Sequence, residues 1–223
     1  IVIKLKNIIK QYEVNSQNIV IALKGIDLHI KEGELVVLRG ASGSGKSTIL
    51  SLIAALSKPT SGEVLVNGDR ISKLPDNFAA DFRRHSIGFV FQKYNLMPML
   101  SAKENIILPL VPMNLSSDEI EEKLKRVLKM FQIEHKENQL VKNLSGGEQQ
   151  RVAIARANIN NPKIILADEP TANLDEKLSL AFIEILKELK VEGKTIVIAT
   201  HDPLFFGLDI VDREIEIYQG SIV

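Results

Sequence analysis

Hydrophobic positions along the chain fall into two regimes. Residues 163–168 and 195–200 are nearly continuous apolar runs, the pattern of a strand buried on both faces. Residues 34–38 form another β-type run. Residues 1–6 and 26–30 alternate, predicting strands, the second ahead of a Glu32-Gly33 turn. Residues 62–69 read as a strand entering an Asn67-Gly68 hairpin turn. Residues 87–91 form a short apolar strand that stops at Gln92. Residues 210–218 and 222–223 read as edge strands around a Gln219-Gly220 turn.

The helical signals differ in period. Residues 49–56 are helix-type, and 176–190 are helical. Residues 117–131 place Ile120, Leu124, Val127, Leu128 and Phe131 on one face. Ser101 and Glu104 form an S-x-x-E capping box. Pro98, Pro109 and Pro112 interrupt the stretch before the long helix. The whole predicts an α/β fold with a mainly parallel sheet, an antiparallel β-rich N-terminal part, and a helical subdomain inserted at about residues 93–156. No internal repeat, low-complexity segment or heptad array interrupts it.

Composition narrows the class. The 223 residues allow a sizeable core, and 45% hydrophobic with 25% charged residues is ordinary for a globular protein. Lys plus Arg equals Asp plus Glu at 28 each, so the charge balance gives no footprint for duplex nucleic acid or an anionic membrane. The absence of Cys excludes disulfides and thiolate metal sites. No apolar run reaches the length of a membrane span. No signal-peptide pattern precedes the first strand; a start at Ile1 is expected to reflect trimming or a start further upstream.

Chemistry concentrates in three places. The first is Gly40-Ala41-Ser42-Gly43-Ser44-Gly45-Lys46-Ser47, a G-x-x-x-x-G-K-[ST] loop between a predicted strand and a predicted helix, followed by Thr48. Glycines let successive N–H groups turn toward one anion, and the helix adds its positive end. Lys46 is expected as a surface-loop charge for β- and γ-phosphates, and Ser47 as a hydroxyl for Mg²⁺. The second is Asp168-Glu169, two acids ending an apolar strand. That position is the carboxyl edge of a parallel sheet, where ligands of open α/β folds bind. Asp168 suits Mg²⁺; Glu169 suits orienting or deprotonating a water. The third is Leu144-Ser145-Gly146-Gly147-Glu148, where Ser145 and Glu148 complete a capping box and the two glycines let a phosphate approach a helix end.

Leu144-Ser145-Gly146-Gly147-Glu148 resembles the signature sequence of ATP-binding cassette (ABC) ATPases, and the motifs follow the family order over essentially the whole chain. Glu148 stands where many members have Gln. The resemblance implies a single ABC ATPase domain over 1–223, a P-loop NTPase with a nucleotide-binding core at about 1–92 and 157–223. Tyr12 matches the adenine-stacking aromatic, Gln92 the Q-loop glutamine that shares Mg²⁺ and catalysis, Asn173-Leu174-Asp175 the D-loop, and His201 the switch histidine. The catalytic set it implies is Lys46, Gln92, Glu169 and His201. The nucleotide would also meet Gly40, Ser42, Gly43, Ser44, Gly45, Ser47, Thr48 and Asp175, and from the other subunit Ser145, Gly146 and Gly147. Taken alone, Tyr12 also fits a strand residue packing on its neighbour, Gln92 a polar strand end, and His201 a cap at Asp202-Pro203.

The resemblance implies ATP and Mg²⁺ as ligands, a head-to-tail homodimer closed by ATP, and a separate integral membrane permease-type partner. The location it implies is the cytoplasmic face of the cell membrane. The partner's docking surface is expected at residues 93–100, with Tyr94, Leu96, Met97 and Met99 exposed. The wording around Gln92 and the signature is most similar to the bacterial macrolide-export and lipoprotein-release branch. No nucleic-acid partner is expected; the alternative is a non-transport ATPase of the same superfamily acting on nucleic acid or ribosomes.

Overall fold

A computed structural model describes residues 2–15, 18–172 and 174–223. Two sheets share the chain. The N-terminal one pairs β1 (Ile3–Asn15) and β2 (Asn18–Ile30) as a long antiparallel hairpin. The other begins with β3 (Leu35–Arg39), which leads through the phosphate loop into α1 (Lys46–Ile53). The chain then returns as β4 (Ser61–Val66) and β5 (Asp69–Arg70), completing the antiparallel sheet in the order β2-β1-β4-β5. Asn67 and Gly68 both have positive φ (53° and 88°), the signature of the hairpin turn that the Asn-Gly pair predicts.

α2 (Asp76–Ser86) precedes β6 (Ile87–Val90). Next come α3 (Ala102–Ile107), α4 (Ser117–Met130) and α5 (Gly146–Asn158). The chain closes with β7 (Ile164–Asp168), α6 (Glu176–Val191), β8 (Thr195–Thr200), β9 (Arg213–Tyr218) and β10 (Ser221–Ile222). The second sheet has the order β10-β9-β3-β8-β7-β6. Its pairings are parallel except β10 on β9.

The apolar runs are buried on both faces. Leu35, Val37, Ile165, Ala167, Ile196 and Ile198 pack with α3 to α6 in one core. Val36, Leu38, Ile164, Leu166, Val197 and Ala199 face the opposite core, with α1 and the antiparallel sheet. One sheet thus separates two cores, and its carboxyl edge carries the loops that end β3, β7 and β8.

Three helices begin with the same device. Ser101, Ser116 and Ser145 each cap a helix while Glu104, Glu119 and Glu148 reach back to the cap backbone. The serines hold all three glutamates below the ordinary carboxylate range.

Some boundaries differ from expectation. The first helix starts at Lys46 and ends at Ile53, because Ala55 turns to a φ of +50°. The strand predicted at 210–218 starts at Arg213 and is interior, between β3 and β10; only β10 lies at that edge. β1 and β2 run far beyond the predicted alternation, because bulges at several register shifts break its period.

Candidate functional site

The loop after β3 is fixed by close backbone approach. A Cβ at Gly40 would lie 2.2 Å from Ile217 O, on β9, and Gly40 has a φ of +147°. Gly220 donates its N–H to Ser44 O at 2.9 Å and accepts from Lys24 N at 2.8 Å. The C-terminal hairpin thereby ties the phosphate loop to β2. Gly43 has open space where a Cβ would stand. Ser44 Oγ is buried without a hydrogen-bond partner.

Lys46 differs from expectation: it is buried, only 4% exposed. Its Nζ donates to Gly40 O (2.7 Å) and Ala41 O (3.0 Å) and stands 3.5 Å from Glu169 Oε1. A buried cation needs partners, and the ammonium has them in the loop carbonyls and the nearby carboxylate. Ser47 is exposed, and its Oγ donates to Asp168 Oδ1 at 2.7 Å. Burial pushes the Asp168 carboxyl up, with Glu169 adding to the rise and Ser47 and Lys46 opposing it. Thr48 follows in the first turn of α1, half-buried.

Glu169 follows β7 with a φ of +44°. It is 8% exposed. Its Oε1 accepts from the His201 ring Nδ1 at 2.9 Å. Its Oε2 accepts from the Thr200 hydroxyl (3.0 Å) and the His201 backbone N–H (3.3 Å). Capping after β8 falls to Asp202, which accepts from Leu204 N at 3.0 Å; His201 instead turns its ring to Glu169. The sheet therefore brings Lys46, Ser47, Asp168, Glu169 and His201 together from three adjacent parallel strands.

Further predicted residues come from other elements. Gln92 follows β6, whose Val90 pairs with Ala167, which places it along the same carboxyl edge. Tyr12 is 41% exposed on β1, opposite Val20, with Lys10 Nζ 4.8 Å from its ring centroid. It is not packed in a core. Asp175 caps α6 by accepting from Leu178 N at 2.9 Å. Asn173 lies outside the described residues.

At the signature, Ser145 Oγ donates to Glu148 Oε2 (2.9 Å) and accepts from Glu148 N (3.4 Å). The two glycines do different things. Gly146 has nothing within 4 Å of a Cβ position, so a ligand can reach its backbone. At Gly147 a Cβ would meet the end of the Leu178 side chain at 2.5 Å, so this glycine marks where α5 lies close against Leu178 of α6. Three residues after Gly147, Gln150 is buried and donates to Pro170 O at 2.9 Å, joining the signature helix to the loop after Glu169. Gln150, Thr171 and Thr200 escape sequence reading because their partners are 20 to 31 residues away. Thr200 leaves the one usable trace, a hydroxyl closing the apolar run Ile196 to Ala199.

A phosphate loop, an acid pair at the end of another parallel strand of the same sheet and a separate open helix start define a P-loop nucleotide-binding protein. The sequence profile of the ABC transporter family matches residues 23–172, and the chain belongs to that family as an ATP-binding, ATPase-type cassette. It is 50% identical over 209 residues to the uncharacterized ABC transporter ATP-binding protein MJ0796 of Methanocaldococcus jannaschii, covering 90% of this chain and 87% of the relative. It is 42% identical over 221 residues to YknY of Bacillus subtilis, an uncharacterized ABC transporter ATP-binding protein, covering 99% and 95%. The macrolide export ATP-binding/permease protein MacB of Campylobacter jejuni is 43% identical over 219 residues; the match spans 98% of this chain but 33% of that protein. The dimeric post-hydrolysis structure of the MJ0796 cassette bound to ADP and Pi superposes with a TM-score of 0.90 at 44% identity, covering 99% of this chain and 96% of that one. These relatives are transporter proteins, which removes the ground for the nucleic-acid or ribosome alternative.

Proposed function

We propose that the chain binds and hydrolyses ATP as a head-to-tail homodimer and so drives an integral membrane partner, in export or in force transmission across the membrane. The observation that carries this is the convergence of Lys46, Ser47, Asp168, Glu169 and His201 on one sheet edge. ATP's phosphates draw Lys46 Nζ off the carbonyls of Gly40 and Ala41. Glu169 Oε1 is then released from the ammonium and takes a proton from the attacking water. His201 holds that carboxylate and, from its exposed ring, reaches the γ-phosphate. Tyr12 stacks on the base, and the loop residues Gly40 to Thr48 cradle the phosphates. Gln92 and Asp175 complete the pocket. Ser145, Gly146 and Gly147 of the second copy close on the γ-phosphate, which pulls the subunits together through charge-assisted hydrogen bonds.

The donor set fits Mg²⁺. Ser47 Oγ and Asp168 Oδ1 are hard oxygens already in contact, and among the described residues no group of three or more His, Cys, Asp or Glu forms a protein-only cage. That matches a cation held by one or two protein oxygens together with phosphates. Ser47 and Asp168, with Gln92, would hold it, and it would neutralise charge on the β- and γ-phosphates.

The chain works as one ATPase domain, a nucleotide-binding core with a helical subdomain at about 93–156. No helix among the described residues is long and apolar enough to cross a membrane. The likeness to the ATP-binding/permease protein MacB supports a cassette that acts peripherally, at the cytoplasmic face, through its partner. Met97 and Met99 are exposed as a docking surface needs, but Tyr94 is buried at 6% and belongs to the interior. A groove of about 320 Å³ lined by Phe89, Phe91, Pro109 and Pro112 together with Arg83, Arg84 and Arg156 offers the partner a mixed apolar and basic seat. The likeness to MacB supports placement in the macrolide-export and lipoprotein-release branch.

Glu169→Gln tests the reading. The amide keeps the size but not the basicity, so turnover should fall at least about 100-fold. ATP should still bind, and the variant should accumulate as a dimer in ATP and Mg²⁺ by light scattering. Undiminished phosphate release would remove Glu169 from the chemistry.

A further inference from the structure

Glu169 has no low-energy backbone to rely on for its aim. Its φ of +44° lies in the left-handed region, uncommon for a residue with a long side chain. The carboxylate is therefore placed by what grips it. Its oxygens are gripped differently. Oε1 faces Lys46 Nζ at 3.5 Å, which a phosphate can draw away, and the His201 ring at 2.9 Å. Oε2 is held by the Thr200 hydroxyl at 3.0 Å and the His201 backbone N–H at 3.3 Å, both supplied by the end of β8 and the residue after it.

Thr200 is well suited to be the fixed end. It is fully buried at the end of β8, where all six residues are buried. Valine has the same shape and would fill such a strand position without a polar atom to desolvate. The hydroxyl is instead used twice. It accepts Asp202 N–H at 3.0 Å, which leaves its proton for Glu169. Asp202 is itself held, accepting the Thr171 hydroxyl at 2.7 Å, and Thr171 follows Glu169 by two residues. The bonds Glu169–Thr200–Asp202–Thr171 thus close a ring that joins the end of β7 to the turn after β8.

We propose that Thr200 is a positioning residue for ATP hydrolysis: its hydroxyl pins Glu169 Oε2, so that Oε1 is the oxygen presented to the attacking water. This rests on Glu169 being the base. When ATP draws Lys46 away, Oε1 loses its ammonium neighbour while Oε2 stays anchored. The carboxylate then keeps its orientation as it changes partners. Without the anchor it can swing about its terminal bond, and misplacement on that scale costs about 10- to 100-fold in rate.

Thr200→Val removes the hydroxyl at constant shape, and Thr200→Ser keeps it. For Val, kcat should fall about 10- to 100-fold while KM for ATP and nucleotide affinity stay within about twofold. Its ATP-bound dimer should persist longer than wild type, as expected for slowed hydrolysis. Ser should return kcat to within about threefold of wild type. A purely structural hydroxyl predicts the opposite for the dimer, which would be lost together with turnover. The role of Thr200 is overturned by wild-type kcat in the Val variant, by a Ser variant no faster than Val, or by a Val variant that no longer dimerises. Should Val fail to fold, Thr200→Ala against Thr200→Ser reads the same difference. Glu169→Gln run in parallel separates the two levels. If it is slow while Thr200→Val is fully active, only the role of Thr200 fails; if it turns over normally, the base assignment fails and takes Thr200 with it.

Discussion

Lys46 is the residue whose surroundings most change the consequences of its removal. As a solvent-exposed loop charge it would leave the ligand-free protein untouched when truncated. Buried, it serves Gly40 O, Ala41 O and Glu169 at once. Lys46→Ala leaves two loop carbonyls short of a donor and a largely buried carboxylate without its cation. Leaving buried polar groups unsatisfied costs about 1–3 kcal/mol. The thermal midpoint of the nucleotide-free variant should therefore drop by a few degrees. ATP affinity should fall about 100-fold or more, since charge-assisted bonds to phosphate contribute about 1.5–3 kcal/mol each. Calorimetric titration with ATP and a thermal melt on the same sample check both. Unchanged ATP affinity in a folded variant would place Lys46 outside the site.

At the scale of elements, the capping boxes show how local sequence becomes a pH-dependent contribution. The Ser145 backbone N–H holds the Glu148 carboxyl below the usual range; burial is the next-largest influence and opposes it, while the Ser145 hydroxyl and Lys136 add to the lowering. A folded-state pKa below the unfolded one contributes stability above the unfolded value, and the contribution disappears as pH falls through the folded one. Glu148→Gln keeps a side chain able to cap but removes the charge. Wild type should be more stable than the variant near neutral pH by about 0.3–1 kcal/mol, the range for an anion at a helix start. The gap should close below the ordinary glutamate pKa. Denaturant titrations at neutral pH and at about pH 3 measure it. A gap independent of pH would deny Glu148 a role through its charge.

Elements with a local cause could be read from the chain alone, and others could not. The capping box at Ser145, the Asn67-Gly68 turn and the strands buried on both faces each carry their own cause in a few neighbouring residues. α2 does not: only Ala79 in it is buried and Phe78 is 58% exposed, so no apolar stripe marks it. The β1–β2 hairpin hides its middle behind bulges that break the period. The site divides the same way. The phosphate loop and the Asp168-Glu169 pair are contiguous, so their motifs reveal them. Packing decides the burial of Lys46, the use of Gly147 to admit Leu178 and the grip of Thr200 on Glu169. No short window of sequence contains both Gly147 and Leu178, both Thr200 and Glu169, or both Lys46 and Glu169.

The whole molecule sets its two phosphate-contacting elements apart while joining them mechanically. Ser145 is engaged with Glu148 in its own helix, and Gly146 is open on the outside of α5. From the same helix, Gln150 grips Pro170 O beside Glu169. The signature helix, proposed to contact a partner subunit's nucleotide, is thus bonded to the loop that follows Glu169 of its own site. Closing one site then bears directly on the other. Ser145→Arg should leave ATP binding to the monomer within about threefold, because Lys46 and Ser47 are untouched, but stop ATP-dependent dimerisation and hydrolysis. Loss of the cap costs about 1 kcal/mol, which a thermal melt verifies as tolerated. Mixing Ser145→Arg with Lys46→Ala should restore one complete composite site per heterodimer. That site takes the intact loop of the first chain and the intact signature of the second. The measurement is ATP-dependent association of the two differently tagged variants, each of which should remain monomeric alone. Because the Gln150 connection couples the sites, recovered turnover should stay below half of the wild-type value even where association returns. A Ser145→Arg variant that can no longer bind ATP as a monomer would place the signature in its own chain's pocket and overturn the head-to-tail arrangement.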